Sequence, residues 1–529
     1  MKKLCQVLLT LLFVCLVPLV VNAQSFRVQC PTSTITHPVA ATSEPAYTGP
    51  TYTGTSGYPT APAHVNGAIK CQQISGGDGY ATMGDGTQTY LFSFGPLSGL
   101  TKIANGQPGT DFPYEFNTVY GGPTLQPGDP ATADGAVSGP NPLSTFPYNG
   151  AVGLVPDLDC LSDPVCRATI PSSGLDGHVD PRQMLDVGVM NGNIPAPLIA
   201  IDEDDELFLT LSNVGMVMRP DLFEQHTVHF HGYPNASSFY DGVPDASVAI
   251  NIGGSFTYYY LAPDAGTYFW HCHITPPEHL QMGMVGQIYV RPRQNRVPST
   301  TGLYAALQNQ QNDPRTACNT AVDILCTNPL PAVNTGATGG GKYAYNDGDG
   351  STYYDVEYPI QIHGFDPNFH FVGMTFNPEG FSDMKDKYFL LNGRSYPDTV
   401  TPGPLATMSS DGAMHYSQPL PSIIDSPAGK KALLRISDLD VSEYQTLASL
   451  GIPMKVIAIN AKLLRDQAGN NLYYTTNSIT LAGGESLDVI LDATGYTSGQ
   501  VFYLYTPNLD HLSNDAENFG GLMTEVHIK

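Results

Sequence analysis

The sequence predicts an all-β fold with two separate strand-rich regions, and three observations carry that expectation. Gly (54) and Pro (44) are abundant in a 529-residue chain of which only 13% is charged, with 30 Tyr and a single Trp. This balance fits loop-rich β proteins better than helical ones. Short apolar runs recur at close spacing between turn residues. Helical periodicity is weak throughout. At 41% hydrophobic the chain is not disordered, and at this length it can bury sizeable cores. The formal net charge of −25 disfavours nucleic acid and anionic membranes, and favours cationic small molecules, metal ions or a basic redox protein.

Taken in order, residues 1–23 read as a secretory signal: Lys2 and Lys3 precede an apolar run, and Val21-Asn22-Ala23 offers a cleavage site. The protein is therefore expected to be periplasmic or extracellular, without a membrane span. Residues 24–68 are rich in Pro, Thr, Ser and Gly and read as an extended arm. The first strand-rich region spans 69–293. It opens with the run 88–94 and is interrupted by a Gly/Pro/Asp-rich insertion at about 95–183. Strands are expected at 184–190, 206–212, 226–231, 247–250, 255–261, 267–273 and 284–290, the pattern of a β-sandwich or barrel. Residues 294–352 form a polar linker. The second region, 353–529, has runs at 386–392, 432–437, 454–463, 472–481, 486–492 and 500–506, with one short helix expected at 441–450.

Nine cysteines less Cys5 and Cys15 of the leader leave an odd number. By proximity Cys30/Cys71, Cys160/Cys166 and Cys318/Cys326 are plausible pairs in an oxidising compartment, and Cys272 is left over. Cys272 has uncommon neighbours. One cluster is His226-Thr227-Val228-His229-Phe230-His231-Gly232; the other is Trp270-His271-Cys272-His273, followed by His279 and Met284. Two histidines, a cysteine and a weak axial methionine make up the trigonal blue-copper ligand set, and His226, Cys272, His279 and Met284 supply it. Zinc uses the same Cys and His donors but has no need of Met284. Because strand side chains alternate faces, His229 and His231 share one face with His226 opposite. His271 and His273 likewise share a face, with Cys272 opposite. One face can thus hold a cysteine-containing site while the other presents four histidines, and the Cys272 backbone links the two.

These motifs resemble those of the multicopper oxidase superfamily. The first is similar to its His-Pro-x-His-x-His-Gly motif, with Thr227 at the Pro position. The second is similar to His-Cys-His-x3-His-x4-Met, with five residues rather than three between His273 and His279. Asp241-Gly242-Val243-Pro244 resembles the family's first domain, whereas type 1 copper ligands normally sit in its last. Ile194-Pro195-Ala196-Pro197 fits that first-domain pattern. Leu391-Asn392-Gly393-Arg394 and Gly484-Glu485-Ser486-Leu487-Asp488 resemble a second domain without copper ligands. The resemblance implies two cupredoxin-like Greek-key β-sandwich domains. It implies type 1 copper on His226, Cys272, His279 and Met284, a type 2 ligand in His229, and type 3 ligands in His231, His271 and His273. Asp241 would assist oxygen reduction. The implied activity is oxidation of a small reducing substrate or redox protein, with O2 as acceptor.

The family's trinuclear site needs four His-x-His pairs, and this sequence has two. His363, His370 and His511 stand alone and read as structural. The related copper nitrite reductases draw one histidine from their second domain, but Tyr505-Thr506-Pro507-Asn508-Leu509 offers none. A homo-oligomer would supply missing ligands by symmetry. A nitrite-reductase-like enzyme, a non-catalytic blue-copper carrier and, from the Gly/Pro/Tyr-rich arm and insertion, a surface-assembly role are the alternatives. The acidic run 202–206 reads as a solvated strand entry, and Asn346-Asp347-Gly348-Asp349-Gly350 as a turn.

Overall fold

The structure, a computed structural model, describes residues 31, 34, 68–96, 192–216, 224–232, 237–252, 254–262, 264–311, 329–374, 380–408 and 414–529. The expected leader, most of the arm and the insertion, the strand at 184–190 and five of the six cysteines expected to pair lie outside these residues. Cys71 is disulfide-bonded, and Cys272 is a free, buried thiol.

The fold is all-β, as expected. The first sandwich uses β1 (Ile69–Thr82), β2 (Gln88–Pro96), β3 (Ile199–Asp202), β4 (Glu206–Gly215), β5 (His229–Phe230), β6 (Ser255–Leu261), β7 (Gly266–His271) and β8 (Val285–Arg291). They form two four-stranded sheets, β2-β1-β4-β6 and β3-β8-β7-β5. Alternation sets the inward faces: Leu207, Leu209 and Leu211 from β4 meet Phe256, Tyr258 and Tyr260 from β6, together with Phe92, Phe94, Trp270 and Ile288. Trp270 is fully buried and stacks on Phe94 with ring centroids 5.2 Å apart. β1 carries no strand signal of its own, because its Gly76-Gly77-Asp78-Gly79 stretch lacks apolar alternation. Its parallel pairing with β4, with a register shift at Gly76/Gly77, holds it in place.

The second sandwich has one sheet ordered through Tyr388–Leu391, Val356–Phe365, Lys431–Asp438, Ser486–Asp492, Met454–Ile459 and Lys462–Leu463. The other runs Ile424–Ser426, Met523–Ile528, Val501–Tyr505, Gln445–Leu450 and Ser478–Leu481. Its core includes Ile360, Leu434, Ile436, Leu447, Val456, Val489, Leu504 and Val526. The helix expected at 441–450 is not formed. Gln445–Leu450 is a strand, because pairing on both sides, with Ser478–Leu481 and Val501–Tyr505, overrides the local pattern. Among the described residues, three short α-helices stand outside the sheets: α1 (Pro276–Gln281), α2 (Leu303–Gln311) and α3 (Pro367–Met374).

The two sandwiches meet through polar side chains on β7 and β8. Thr267 donates to Asp488 at 2.6 Å. Gln287 Nε2 donates to the Arg435 carbonyl (3.0 Å) and to Ser437 (2.8 Å). Glu357 accepts from both Arg291 and Arg435. The acidic run after β3 is not solvated, contrary to the sequence reading. Glu203, Asp204 and Asp205 are buried, Asp204 pairs with Arg293 and Arg296, and Glu203 accepts from Asn346. Burial, partly countered by Arg293, lifts the Glu203 carboxyl to about 7. The loop 346–350 is a turn, as expected: Asp347 accepts from the backbone of Gly350 and Thr352. No helix among the described residues is long and apolar enough to cross a membrane.

Candidate metal centre

The site is assembled where β5, β7 and α1 converge. In the β5/β7 register His229 lies opposite His271 and Phe230 opposite Trp270, so period two places His231 on the same side as His229. Cys272, the residue after β7, points the other way into the core beside Met284. His226 is brought in by a bridge to Ile250. α1 carries His279, and Met284 lies just beyond its end. The Met284 backbone N–H donates to the His279 carbonyl at 2.8 Å, and the Cys272 N–H donates to the Met284 carbonyl at 3.0 Å, which closes the ligand loop.

On the core side, the donor atoms of His226, Cys272 and His279 lie within 4.8 Å of one another, all buried. His279 Nδ1 is 3.2 Å from Cys272 Sγ, and the Thr227 N–H points at the same sulfur at 3.4 Å. Neither ring nitrogen of His226 has a hydrogen-bond partner. A buried polar atom left unpaired costs free energy, so this imidazole is shaped for a ligand the protein does not supply. Burial, with His279 adding to it, pushes His226 well below its usual range and keeps it neutral. Burial acts on His279 too, but its contacts with Cys272 and Glu224 outweigh it and hold this imidazole at about 10. Gly76 of β1 leaves the space for His226, since a Cβ there would come 2.8 Å from the ring.

On the opposite side, His229, His231 and His271 place donor atoms within 4.8 Å of one another. His231 Nε2 and His271 Nε2 are 3.1 Å apart. His273 joins them, its ring centroid 5.0 Å from that of His229. Backbone carbonyls aim two of the rings: His229 Nδ1 donates to Asp241 O (2.5 Å) and His271 Nδ1 to Cys272 O (2.6 Å). Such bonds fix the tautomer and leave Nε2 free for a metal. Burial is the main cause holding His231 down at about 4 and His271 at about 3, so both are neutral donors near pH 7. Asp241 meets His229 chiefly through its backbone; its carboxylate is 3.6 Å away.

A cavity of 460 Å³ opens beside His231 and His271. Its far wall comes from the second sandwich, with Leu439, Asp440, Glu443 and Tyr444, and Phe269 and Leu280 line the near side. Among the described residues, no second-domain histidine lines this cavity. His363 donates to the Leu280 carbonyl, His370 lies between the carbonyls of Tyr90 and Gln281, and His511 bonds Gln445 and Glu443. Sequence reasoning missed Glu224, Gly76 and the acidic cavity wall. Of these only Glu224 had a usable signal, its shared strand parity with His226.

Residues 176–295 match a family model described as multicopper oxidase. That match takes in both histidine clusters and Cys272. The curated relatives agree over the same kind of length. Laccase 1 of Metarhizium robertsii is 30% identical over 135 residues, 25% of this chain and 20% of that protein. Laccase abr2 of Aspergillus fumigatus is 34% identical over 117 residues, 22% of this chain and 18% of that protein. The chain thus spans about a fifth of the length of the curated relatives it matches. Among solved structures, a blue copper oxidase from Nitrosomonas europaea aligns with a TM-score of 0.41 and 22% identity, covering 64% of this chain and 78% of that one. Copper is the cofactor of this family, and a buried thiol, a thioether and neutral imidazoles are donors suited to it.

Proposed function

We propose that this protein is a secreted copper-dependent oxidoreductase of multicopper oxidase type. Type 1 copper sits on His226, Cys272, His279 and Met284. A second copper site is held by His229, His231, His271 and His273, and Asp241 assists there by fixing His229. The observation that carries the reading is the convergence of one free buried thiol and two imidazoles, one of which has no other partner for either nitrogen. Copper in these positions supplies one-electron transfer from a small reducing substrate or redox protein and reduction of O2 as terminal acceptor.

The chain's own contribution is to connect and insulate the two sites. Cys272 belongs to the first site through its side chain. Its carbonyl accepts from His271 of the second at 2.6 Å, a short bonded route between them. Trp270, Phe94 and Phe230 pack tightly around that route and keep water from it. The neutral state of His231 and His271 keeps the histidine face ready for metal. Two His-x-His pairs fall short of the family's trinuclear set, and among the described residues the cavity wall contributed by the second sandwich carries no histidine. In this reading a homo-oligomer supplies any further ligands.

The nitrite-reductase-like alternative is weaker, because Tyr505-Thr506-Pro507-Asn508-Leu509 places no histidine at the interface. Loading the protein with copper tests the assignment. The wild type should show an intense blue or green thiolate-to-copper band, and Cys272→Ser should abolish it while circular dichroism stays unchanged. A colourless copper-loaded wild type would remove the type 1 site.

A further inference from the structure

The two histidines of the core-side site are held in different ways. His226 is fixed by packing alone, between Gly76 and Phe94. His279 is fixed by bonds at both nitrogens: Nδ1 faces Cys272 Sγ at 3.2 Å, and Nε2 lies 2.8 Å from Glu224 Oε2. The His279 side chain is 0% exposed and that of Glu224 is 19% exposed, so the carboxylate covers the outer edge of the imidazole.

Glu224 is itself held in position. The buried Asn213 side chain on β4 donates to the Glu224 carbonyl at 2.8 Å and to the Ile250 carbonyl at 2.9 Å. That ties the segment before His226 to the sandwich and to the residue that bridges His226. Phe92 packs edge-on against the His279 ring at 5.2 Å and limits its rotation. Glu278, also within donor distance of this pair, is the other acid at the outer edge.

We propose that Glu224 is the positioning residue of this centre. It accepts the Nε2–H of His279, fixes the tautomer that turns the Nδ1 lone pair toward Cys272 Sγ, and strengthens that imidazole as a donor. The inference rests on the type 1 reading. A carboxylate bonded to a ligating histidine raises the basicity of the ligand and orients its ring. A stronger, anionically backed donor favours the oxidised, more highly charged copper, so Glu224 lowers the reduction potential of the centre. It makes the two imidazoles unequal, with His279 the tightly aimed ligand and His226 the adaptable one.

The test uses the full-length copper-loaded protein and compares wild type, Glu224→Gln, Glu224→Asp and Glu224→Ala. Reduction potential is read by spectroelectrochemical titration, and site geometry by the charge-transfer band and electron paramagnetic resonance. Gln keeps an oxygen acceptor for Nε2–H but removes the charge. It should retain the colour and full copper content while the potential rises. Ala removes the acceptor and should also broaden the band and change the copper hyperfine splitting. Asp should return part of the wild-type potential. A potential and spectrum in Gln and Ala indistinguishable from wild type would overturn the proposal and leave Glu224 a simple ion pair. Should Ala fail to fold, Gln alone decides the question. A wild type with no charge-transfer band would instead refute the type 1 reading, and the two failures are thereby told apart.

Discussion

At the scale of single residues, the site depends on small side chains as much as on the ligands. Gly76 is where β1 passes closest to His226, with a built Cβ only 2.8 Å from Cδ2 of the ring. Gly76→Ala should push that imidazole out of line with Cys272. The expected result is a weaker and shifted charge-transfer band, with a stability loss of about 1–3 kcal/mol from overpacking, read by absorption and urea unfolding. An unchanged band would show that the His226 ring has slack. The donor residues themselves were legible in the sequence, because chemistry and strand parity both mark them. Their supports were not. Gly76 lies about 150 residues before His226, so its contact leaves no local trace, and Glu224 shares strand parity with His226 but bonds a histidine on another element, a partner that parity does not name. The same holds for the acidic run 202–206. Its partners Arg293 and Arg296 straddle the boundary between the first region and the segment read as linker, about 90 residues away, so nothing local marks the run as part of a buried network.

At the scale of elements, β5 is only two residues long and depends on its neighbours to present its histidines. Gly242 crosses directly beneath it at φ +78°, with a built Cβ 2.0 Å from the Val228 carbonyl. Only glycine fits both the dihedral and the approach. Gly242→Ala should displace β5 and break the His229–Asp241 bond. The cost should be about 1–3 kcal/mol in backbone strain, and copper should bind more weakly at the histidine face. Copper titration of wild type and variant, followed calorimetrically, checks this. Strands with clean alternation, such as Ser486–Asp492, were placed by sequence to the residue. Elements defined by their partners were not. The glycine-rich β1 and the doubly paired Gln445–Leu450 take their form from the sheet rather than from propensity.

At the scale of the whole molecule, the two sandwiches are tied together by the Arg291–Glu357–Arg435 network. Burial alone would raise the Glu357 carboxyl, but the two guanidiniums outweigh it and depress it to about 2 from an ordinary 4.5. A depressed carboxyl stabilises the fold above its unfolded value, so this contribution is complete above about pH 4.5 and is lost as pH falls toward 2. Glu357→Gln should cost about 3–5 kcal/mol near neutral pH, since it leaves buried guanidiniums short of a partner. It should also flatten the dependence of thermal stability on pH in that acid window. Equal steepness in wild type and variant would show that other carboxylates carry the acid response.

The central claim is that one chain holds two distinct copper sites on opposite sides of Cys272. Copper per chain, measured by elemental analysis of the loaded protein with His231→Ala alongside, tests it most directly. The account predicts more than one copper in the wild type. In the variant it predicts a lower copper content with the blue band intact, because Cys272 faces away from His231. One copper or fewer per wild-type chain, or a variant that loses its colour with its metal, would contradict it.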